Sequence, residues 1–395
     1  MAMQYRKFGR LDWKPSALGF GCMRLPTTDG NPMSGNIDEK LALKMIRHAI
    51  DEGVNYVDTA YPYHGGQSEA VVGKALKDGY REKVRLATKC PVWAITKPEE
   101  FDKYLDEQLQ KLQTDHIDFY LFHGLEKSRW DTIVKLELVK RAEKAIKAGK
   151  IRYIGFSFHD KFDTFKTIID SYDKWTFCQI QYNYMDIENQ AGTKGLKYAA
   201  SKGLAVVIME PILGGRLANP PAPVRKILQG YDKNRTPSDW ALQWVWSQPE
   251  VSVVLSGMSN LTQVEGNLVS ASKSGYGKMT PEELKVLDRV RIKYRENVPI
   301  GCTKCGYCMP CPNGVNIPRN FELYNDGFIH EDPRTARGMY QRFLPEPQRA
   351  GSCAECHTCE EKCPQKLPIS ELMKKVKAVL GDNKPYPSSS DADAK

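Results

Sequence analysis

The chain has 395 residues, of which 41% are hydrophobic and 27% charged, a composition that excludes collagen, coiled-coil rods and wholesale disorder. Its formal net charge is +9, but basic and acidic residues are interleaved, so we expect no nucleic-acid partner. No apolar run approaches the roughly 18 residues of a membrane span, and residues 1–7 lack the apolar stretch of a secretory signal. We therefore expect a cytoplasmic protein with one large and one small domain and no membrane partner.

Eight short apolar segments alternate with longer amphipathic stretches before residue 297. They are rich in Val, Ile, Phe and Tyr, as the buried strands of a parallel sheet should be. We predict strands over residues 17–22, 55–59, 84–89, 117–123, 153–157, 177–181, 205–209 and 251–256.

Helical patterns fill the intervals between these strands. The pattern over 98–112 begins with Pro and two Glu, which favours a helix start, and the pattern over 133–148 ends at Gly149. The other predicted helices span 37–53, 236–246 and 280–295. Eight strand–helix units in about 270 residues are typical of a (β/α)8 TIM barrel. The alternative, a doubly wound sheet, is disfavoured because residues 19–24 lack the last glycine of GxGxxG.

Ionisable side chains close three successive strands of this barrel. Asp58 ends the second strand, Lys89 the third and His123 the fourth, and Tyr63 lies in the loop after Asp58. TIM-barrel active sites lie at these strand ends. A buried lysine would lower the pKa of a nearby phenol from its usual value of about 10, and a histidine beside it could hydrogen-bond a carbonyl oxygen. The arrangement suits carbonyl reduction, although each residue alone also has a purely structural interpretation.

Several longer motifs surround these residues. They are NYVDTAYPY at 55–63 followed by QSE at 67–69, LATK at 86–89, DFYLFH at 118–123, IRYIGFS at 151–157 and QIQYN at 179–183. Over residues 1–297 the chain resembles the aldo-keto reductase family. The resemblance implies a (β/α)8 barrel that uses NADP or NAD to reduce an aldehyde or ketone, or to oxidise an alcohol. It implies the catalytic residues Asp58, Tyr63, Lys89 and His123, with Tyr63 as the proton donor.

The resemblance also implies an extended dinucleotide across the barrel mouth. Ser157 and Gln181 match residues that hold the nicotinamide carboxamide, Met209 replaces the usual stacking aromatic, and residues 211–217 resemble the loop over the pyrophosphate. The implied cofactor-binding residues are Gly21, Met23, Asp58, Ser157, Gln181, Met209, Pro211, Gly214, Leu217, Gly257, Gln263 and Asn267.

The choice between NADP and NAD stays open. Residues 256–263 lack the Lys and Arg often used for the 2′-phosphate, which favours NAD, yet the family mostly uses NADP and Arg216 could serve. Gln263 and Asn267 could hold the adenosine end. The sequence does not indicate the substrate, because substrate specificity depends on variable loops, here 24–36, 92–97, 124–131 and 210–235. Trp93 and Trp130 are candidates for lining the mouth, although each could equally be packed elsewhere.

Eight of the eleven cysteines lie between Cys302 and Cys363. Residues 353–364 read CxxCxxCxxxCP, the bacterial ferredoxin run, and residues 302–312 are a shortened relative of it. In two-cluster ferredoxins the fourth cysteine of each run ligates the other cluster. We therefore predict two 4Fe-4S clusters, one held by Cys302, Cys305, Cys308 and Cys363, the other by Cys353, Cys356, Cys359 and Cys311.

The whole pattern resembles the aldo-keto reductases that carry a C-terminal ferredoxin-like 4Fe-4S domain. We expect this mainly α-helical domain over 298–381, after a barrel over 1–297, and a disordered polar tail over 382–395. Zinc is the weaker alternative, because a zinc ribbon would use CxxC pairs. Hydride transfer needs no one-electron carrier, so the clusters either exchange electrons with a redox partner protein or stiffen the domain. A rival hypothesis makes the protein an electron-transfer component whose barrel binds dinucleotide without turnover.

Overall fold

Eight parallel strands close into a barrel in chain order. The structure, a computed structural model, describes residues 2–32, 34–296, 298–302 and 304–387. The strands are β1 (Leu18–Gly21), β2 (Tyr56–Asp58), β3 (Arg85–Cys90), β4 (Ile117–Leu125), β5 (Ile151–Phe158), β6 (Phe177–Gln181), β7 (Ala205–Met209) and β8 (Val251–Gly257). All eight predicted strands are confirmed, and the alternative of an open doubly wound sheet is wrong because β1 pairs with β8.

Helices follow the strands along the chain. They are α1 (Glu39–Asp51), α2 (Ser68–Ala75), α3 (Glu100–Leu112), α4 (Lys127–Lys135), α5 (Leu138–Lys147), α6 (Phe162–Asp170), α7 (Gly192–Ser201), α8 (Ala222–Tyr231), α9 (Pro237–Trp246), α10 (Leu261–Ser272) and α11 (Pro281–Glu296). The predicted helix over 133–148 is wrong as a single element, since α4 and α5 replace it. Glu137 between them has a φ of 52°, which breaks the helical path.

The barrel interior is filled with large aromatic side chains. Phe8, which precedes β1, lies 4.8 Å from Phe119 and 5.9 Å from Phe177 between ring centroids. Trp13 packs edge-on against Phe8 at 5.4 Å. Because the interior is closed by this packing, a ligand site must lie at the strand ends.

The described chain divides into two compact units. The first contains the chain up to Ala218 and Thr236–Glu283, and the second contains Asn219–Arg235 and the chain from Leu284. This division differs from the boundary expected at residue 298, so the domain limits 1–297 and 298–381 stay a prediction. None of the described helices is long and apolar enough to cross a membrane.

The second unit is mainly helical, as expected. Beyond α11 it contains α12 (Ile317–Ile329), α13 (Pro333–Phe343), α14 (Thr358–Glu361) and α15 (Ile369–Val376). The disordered tail expected over 382–395 stays a prediction. In its described part, Tyr386 donates a 2.9 Å hydrogen bond to the carbonyl of Tyr324, and the two rings are tilted with their centroids 5.0 Å apart. Residues 388–395 of that predicted tail lie outside the described residues.

Candidate active site

A buried ion pair joins the ends of β2 and β3. Lys89 Nζ donates hydrogen bonds to Asp58 Oδ1 at 2.6 Å and to the Thr59 carbonyl at 2.7 Å. Gln179 Nε2 donates to the second Asp58 oxygen at 3.1 Å. Parallel pairing of neighbouring strands brings these ends to the same edge of the barrel. The pair therefore has its hydrogen bonds satisfied away from water, as a buried charge pair requires.

Tyr63 completes a hydrogen-bonded chain with this pair. Lys89 Nζ lies 3.3 Å from the Tyr63 hydroxyl and 4.8 Å from the centroid of its ring. The next residue, His64, anchors the loop: its Nδ1 lies 2.7 Å from the Ser34 carbonyl, and the Leu25 amide donates to its Nε2 at 3.1 Å. His64 has a φ of 53°. Sequence reasoning did not assign it this anchoring position.

His123, at the end of the fourth predicted strand, faces the phenol. Its ring stands edge-on to Tyr63 with centroids 6.0 Å apart, and its Nδ1 is buried with no hydrogen-bond partner among the described residues. Trp93 packs edge-on against His123 at 5.1 Å and is 46% exposed, which suits a residue at the mouth. Trp130 is instead 8% exposed and lies 6.3 Å from Trp175, so its candidacy for the mouth is wrong.

Burial and charge set the protonation states at this site. Burial raises the pKa of Tyr63 against the opposing effect of Lys89. The expected lowering by Lys89 is present, but the pKa rises overall because desolvation of a phenolate outweighs one neighbouring charge. Burial lowers the pKa of Lys89, but the attraction of Asp58 and Tyr63 outweighs it and raises that pKa overall. Burial, with the charge of Lys89, holds the pKa of His123 well below its usual range, so its imidazole is neutral.

A second layer of polar side chains supports β3 from outside the barrel. Glu69 Oε1 accepts hydrogen bonds from Thr88 and Gln108, both at 2.6 Å. Gln108 Nε2 also donates to the Lys89 carbonyl at 3.1 Å and Tyr120 donates to Gln108 Oε1 at 2.7 Å. The sequence motif contained Glu69, but nothing in its spacing indicated that it reaches β3.

The residues predicted to hold the nicotinamide carboxamide lie on β5 and β6. Ser157 Oγ accepts a hydrogen bond from the Gly124 amide at 2.7 Å. Gln181 Nε2 donates to Asp186 at 3.0 Å, and Asn189 donates to Gln181 Oε1 at 3.1 Å. Both the Nε2 and the Oε1 of Gln181 therefore have hydrogen-bond partners in the protein, and these hold the side-chain amide in one orientation.

The remaining predicted residues of the nicotinamide end lie at neighbouring strand ends. Met209 ends β7, is half-buried and pairs in register with Gln181. Gly21 ends β1, pairing with Asp58 on one side and Gly257 on the other. Met23 is half-buried in the short turn after it. These positions share one edge of the barrel with the Tyr63 hydroxyl.

A glycine loop follows β7 where phosphate was expected. Gly214 and Gly215 have φ values of 65° and 100°, and a Cβ built on Gly215 would meet nothing within 4 Å. Such left-handed glycines let the backbone approach a phosphate closely. Pro211 and Leu217, at the two ends of this loop, are buried. The loop therefore fits a dinucleotide phosphate.

The predicted adenosine-end residues lie on β8 and α10. Gln263 Oε1 accepts a hydrogen bond from the Ser259 amide at 2.8 Å and its side chain is exposed. Asn267 is 8% exposed and donates to Ser256 Oγ at 3.0 Å. Gly257 ends β8 and is exposed. The side chain of Gln263 is therefore accessible to a ligand, whereas that of Asn267 is buried and hydrogen-bonded within the protein.

The cysteines of the second unit fall into two neighbourhoods. A cavity is lined by the first predicted ligand set, Cys302, Cys305, Cys308 and Cys363. Burial raises the pKa of Cys359 to about 11, and the nearby thiols of Cys353 and Cys311 add to this shift. As the side chains stand, no three His, Cys, Asp or Glu residues of the described chain meet the distances of a metal centre. The thiol chemistry and the cavity fit an iron–sulfur cluster.

Comparison with known proteins identifies the class of both regions. Residues 17–290 match the aldo/keto reductase family model, and residues 301–367 match a 4Fe-4S dicluster domain. The chain belongs to the aldo-keto reductase family, and it is an oxidoreductase of that family with a 4Fe-4S domain.

Individual relatives agree with this assignment over the barrel. L-galactose dehydrogenase of Arabidopsis thaliana is 30% identical, covering 73% of this chain and 94% of the relative. Probable aldo-keto reductase 1 of Glycine max is 28% identical, covering 66% and 82%. The holo structure of aldo-keto reductase AKR11C1 from Bacillus halodurans superposes with a TM-score of 0.59 at 27% identity, covering 73% of this chain and 96% of that one.

Proposed function

We propose that this protein reduces an aldehyde or ketone with NADPH or NADH, or oxidises the corresponding alcohol, with Tyr63 as the proton donor. The observation that carries the proposal is the chain of hydrogen bonds from Asp58 through Lys89 to Tyr63, 2.6 Å and 3.3 Å long. A phenol, an ammonium group and a carboxylate joined in this way can move one proton without exposing a charge to water.

Each side chain has a distinct part in this proposal. The raised pKa of Tyr63 keeps its phenol protonated at neutral pH, so it is ready to protonate a carbonyl oxygen. Lys89 then stabilises the phenolate that remains, and Asp58 keeps Lys89 charged. His123 donates one N–H to the carbonyl oxygen and so orients it. Burial in this site favours the neutral imidazole of His123 over the imidazolium. A nicotinamide dinucleotide, when bound at the barrel mouth, would supply or accept the hydride.

The substrate class is open to a direct test. The relatedness to L-galactose dehydrogenase favours including aldoses in the panel beside simple aldehydes and ketones. Anaerobic turnover with NADH and with NADPH, followed by the nicotinamide absorbance, should reveal consumption with at least one member. Absence of turnover with the whole panel and both cofactors would contradict the proposal.

Tyr63→Phe tests Tyr63 as the proton donor of carbonyl reduction. Removing a positioned general acid should lower kcat by about two to four orders of magnitude. Tyr61→Phe is the matched control, since the Tyr61 hydroxyl bonds to Glu107 instead, and its activity should be that of the wild type. Unchanged activity in Tyr63→Phe would contradict Tyr63 as the proton donor. Dinucleotide binding by the wild type without any turnover would favour the electron-transfer hypothesis, which the 4Fe-4S domain match alone also accommodates.

We further propose that the cysteines hold two 4Fe-4S clusters in the sets described above. The cavity lined by one set and the proximity of Cys353, Cys359 and Cys311 support this pairing. Reduced thiols suit the cytoplasm, and the clusters would supply one-electron chemistry to a redox partner protein. Iron and sulfide analysis with visible absorption of anaerobically purified protein tests it. A colourless, zinc-containing protein would contradict it.

A further inference from the structure

A guanidinium lies at the barrel mouth beside the candidate active site. Arg129, on α4, has its Cζ 5.4 Å from the centroid of the Trp93 ring. Trp93 is exposed and packs edge-on against His123 at 5.1 Å. Burial is the main cause of the lowered pKa of His123, and the positive charges of Lys89 and Arg129 contribute to it. The charge of Arg129 therefore acts at the position where the carbonyl oxygen is proposed to bind.

The backbone near the end of β4 holds this arginine in place. Arg129 Nη1 donates a 2.6 Å hydrogen bond to the Gly124 carbonyl. Gly124 has a φ of 61°, and a Cβ built on it would stand 2.6 Å from Arg129 Nη1 and 3.8 Å from His159 Cδ2. The guanidinium therefore lies in the space that the missing side chain leaves, and the imidazole of His159 borders it. Because its position is restricted before a ligand arrives, less entropy is lost on binding.

The remaining donors of Arg129 are accessible to a ligand. Among the residues that the structure describes, the bond to Gly124 is the one hydrogen bond of this guanidinium. Glu126 Oε1 lies 3.8 Å from Arg129 Nε, too far for a hydrogen bond, and accepts one of 2.9 Å from Ser128. The side chain of Arg129 is 34% exposed. A half-buried cation with available donors beside the reacting groups favours an anionic ligand.

We propose that Arg129 selects carbonyl substrates that carry a carboxylate, that is, oxo acids and the corresponding hydroxy acids. The inference rests on the proposed function, because it assigns the substrate class of that same site. The Nε and Nη2 groups form one edge of the guanidinium, and the two oxygens of a carboxylate can accept from both. Trp93 supplies an apolar surface for the carbon chain between the carboxylate and the carbonyl group. Lys89 does not compete for the carboxylate, since it is buried and paired with Asp58.

Matched pairs of aldehydes test the inference by steady-state kinetics on the full-length protein. Succinate semialdehyde differs from butanal, and 4-carboxybenzaldehyde from 4-methylbenzaldehyde, by a carboxylate in place of a methyl group. In the wild type, the acid of at least one pair should have a kcat/KM about ten- to hundred-fold higher than its uncharged partner, mainly through KM.

Variants at two positions of α4 show whether Arg129 causes this preference. Arg129→Gln should bring the ratio of the two kcat/KM values close to one. Arg129→Lys should keep part of the preference, since it retains a charge but not the planar set of donors. Lys127→Met is the matched control, because it removes a charge from the same helix and breaks only an exposed pair with Asp131. Its ratio should be that of the wild type.

A purely structural role of Arg129 would lower kcat/KM equally for both members of a pair, so an unchanged ratio in Arg129→Gln would overturn the inference. If that variant does not fold by circular dichroism, calorimetric titration of the wild type decides. It should bind 4-methylbenzoate at least about tenfold more tightly than neutral 4-methylbenzamide, and equal affinities would overturn the inference.

The two proposals fail in different ways. Wild-type protein that reduces the uncharged aldehydes without preferring either acid would overturn the inference and leave the proposed function intact. Wild-type protein that reduces none of the four aldehydes would count against the proposed function, while the titration with 4-methylbenzoate would still test the carboxylate contact.

Discussion

Lys89 Nζ lies 2.6 Å from Asp58 Oδ1, and the two side chains are only 1% and 4% exposed. Lys89→Met should therefore leave Asp58 buried without its counter-ion. We expect a loss of about 3–5 kcal/mol in the free energy of unfolding, measured by urea denaturation, together with loss of turnover.

The double variant Asp58→Asn, Lys89→Met separates stability from catalysis. It removes both charges, so most of the unfolding free energy should return. Activity should stay absent, because Tyr63 no longer has an ammonium group beside it. A single variant Lys89→Met as stable as the wild type would show that the pair is not shielded from water.

His123 should make stability depend on pH. Burial holds its pKa well below the usual value, so below about pH 6.5 the unfolded chain binds a proton that the folded chain does not. By linkage, this contribution to stability is full above about pH 6.5 and declines as the pH falls.

The variant His123→Gln should remove that part of the pH dependence. Thermal midpoints measured from pH 8 to pH 5 should fall less steeply for the variant than for the wild type. The difference between the two curves isolates His123 from the other groups that titrate in this range. Parallel curves would show that His123 keeps an ordinary pKa.

Asp118, at the start of β4, is the centre of a separate ionic cluster. Its carboxylate accepts hydrogen bonds from Arg81, Arg85 and Arg152, each at 2.9 Å, and its side chain is 0% exposed. Burial opposes the charge of Asp118, but Arg81 and its other partners outweigh this effect and lower the pKa overall. This stabilisation is therefore present at neutral pH and is lost as the pH falls through the lowered pKa.

Asp118→Asn should lower the free energy of unfolding by about 3–5 kcal/mol, because it leaves partly buried guanidinium groups without their anion. Urea denaturation at neutral pH measures this loss. Asp102→Asn is the matched control, since Asp102 is 45% exposed and pairs with a single arginine. Its effect should stay below about 1 kcal/mol. Equal losses in the two variants would contradict a special role for Asp118.

The crossed cysteine pairing predicts a non-additive loss of iron. Cys308→Ala and Cys363→Ala should each destroy the same cluster, so the double variant should keep as much iron as either single variant. Cys359→Ala with Cys363→Ala should destroy both clusters and lose nearly all iron. Iron analysis of anaerobically purified variants measures this. The reverse pattern would assign each run of cysteines to its own cluster.

Much of the barrel could be predicted because its signals are local. Strands β6 and β7 begin and end at the predicted residues, since continuous apolar runs mark strands buried on both faces. The single helix predicted over 133–148 is wrong, because Glu137 adopts a left-handed backbone conformation that its residue type does not indicate. The location of Trp130 was not predictable for a related reason, since an aromatic side chain suits the mouth of a site and a hydrophobic core equally well.

The sequence by itself determined the strand–helix order, the placement of Asp58, Lys89 and His123 at or within two residues of strand ends, and the two runs of cysteine. Each follows from residue type and spacing along the chain. Only the tertiary structure decided that burial outweighs Lys89 in setting the pKa of Tyr63, and that Arg129 lies over Trp93. These properties depend on how close segments far apart in the sequence come to each other and on how completely they exclude water. Both follow only when the barrel closes.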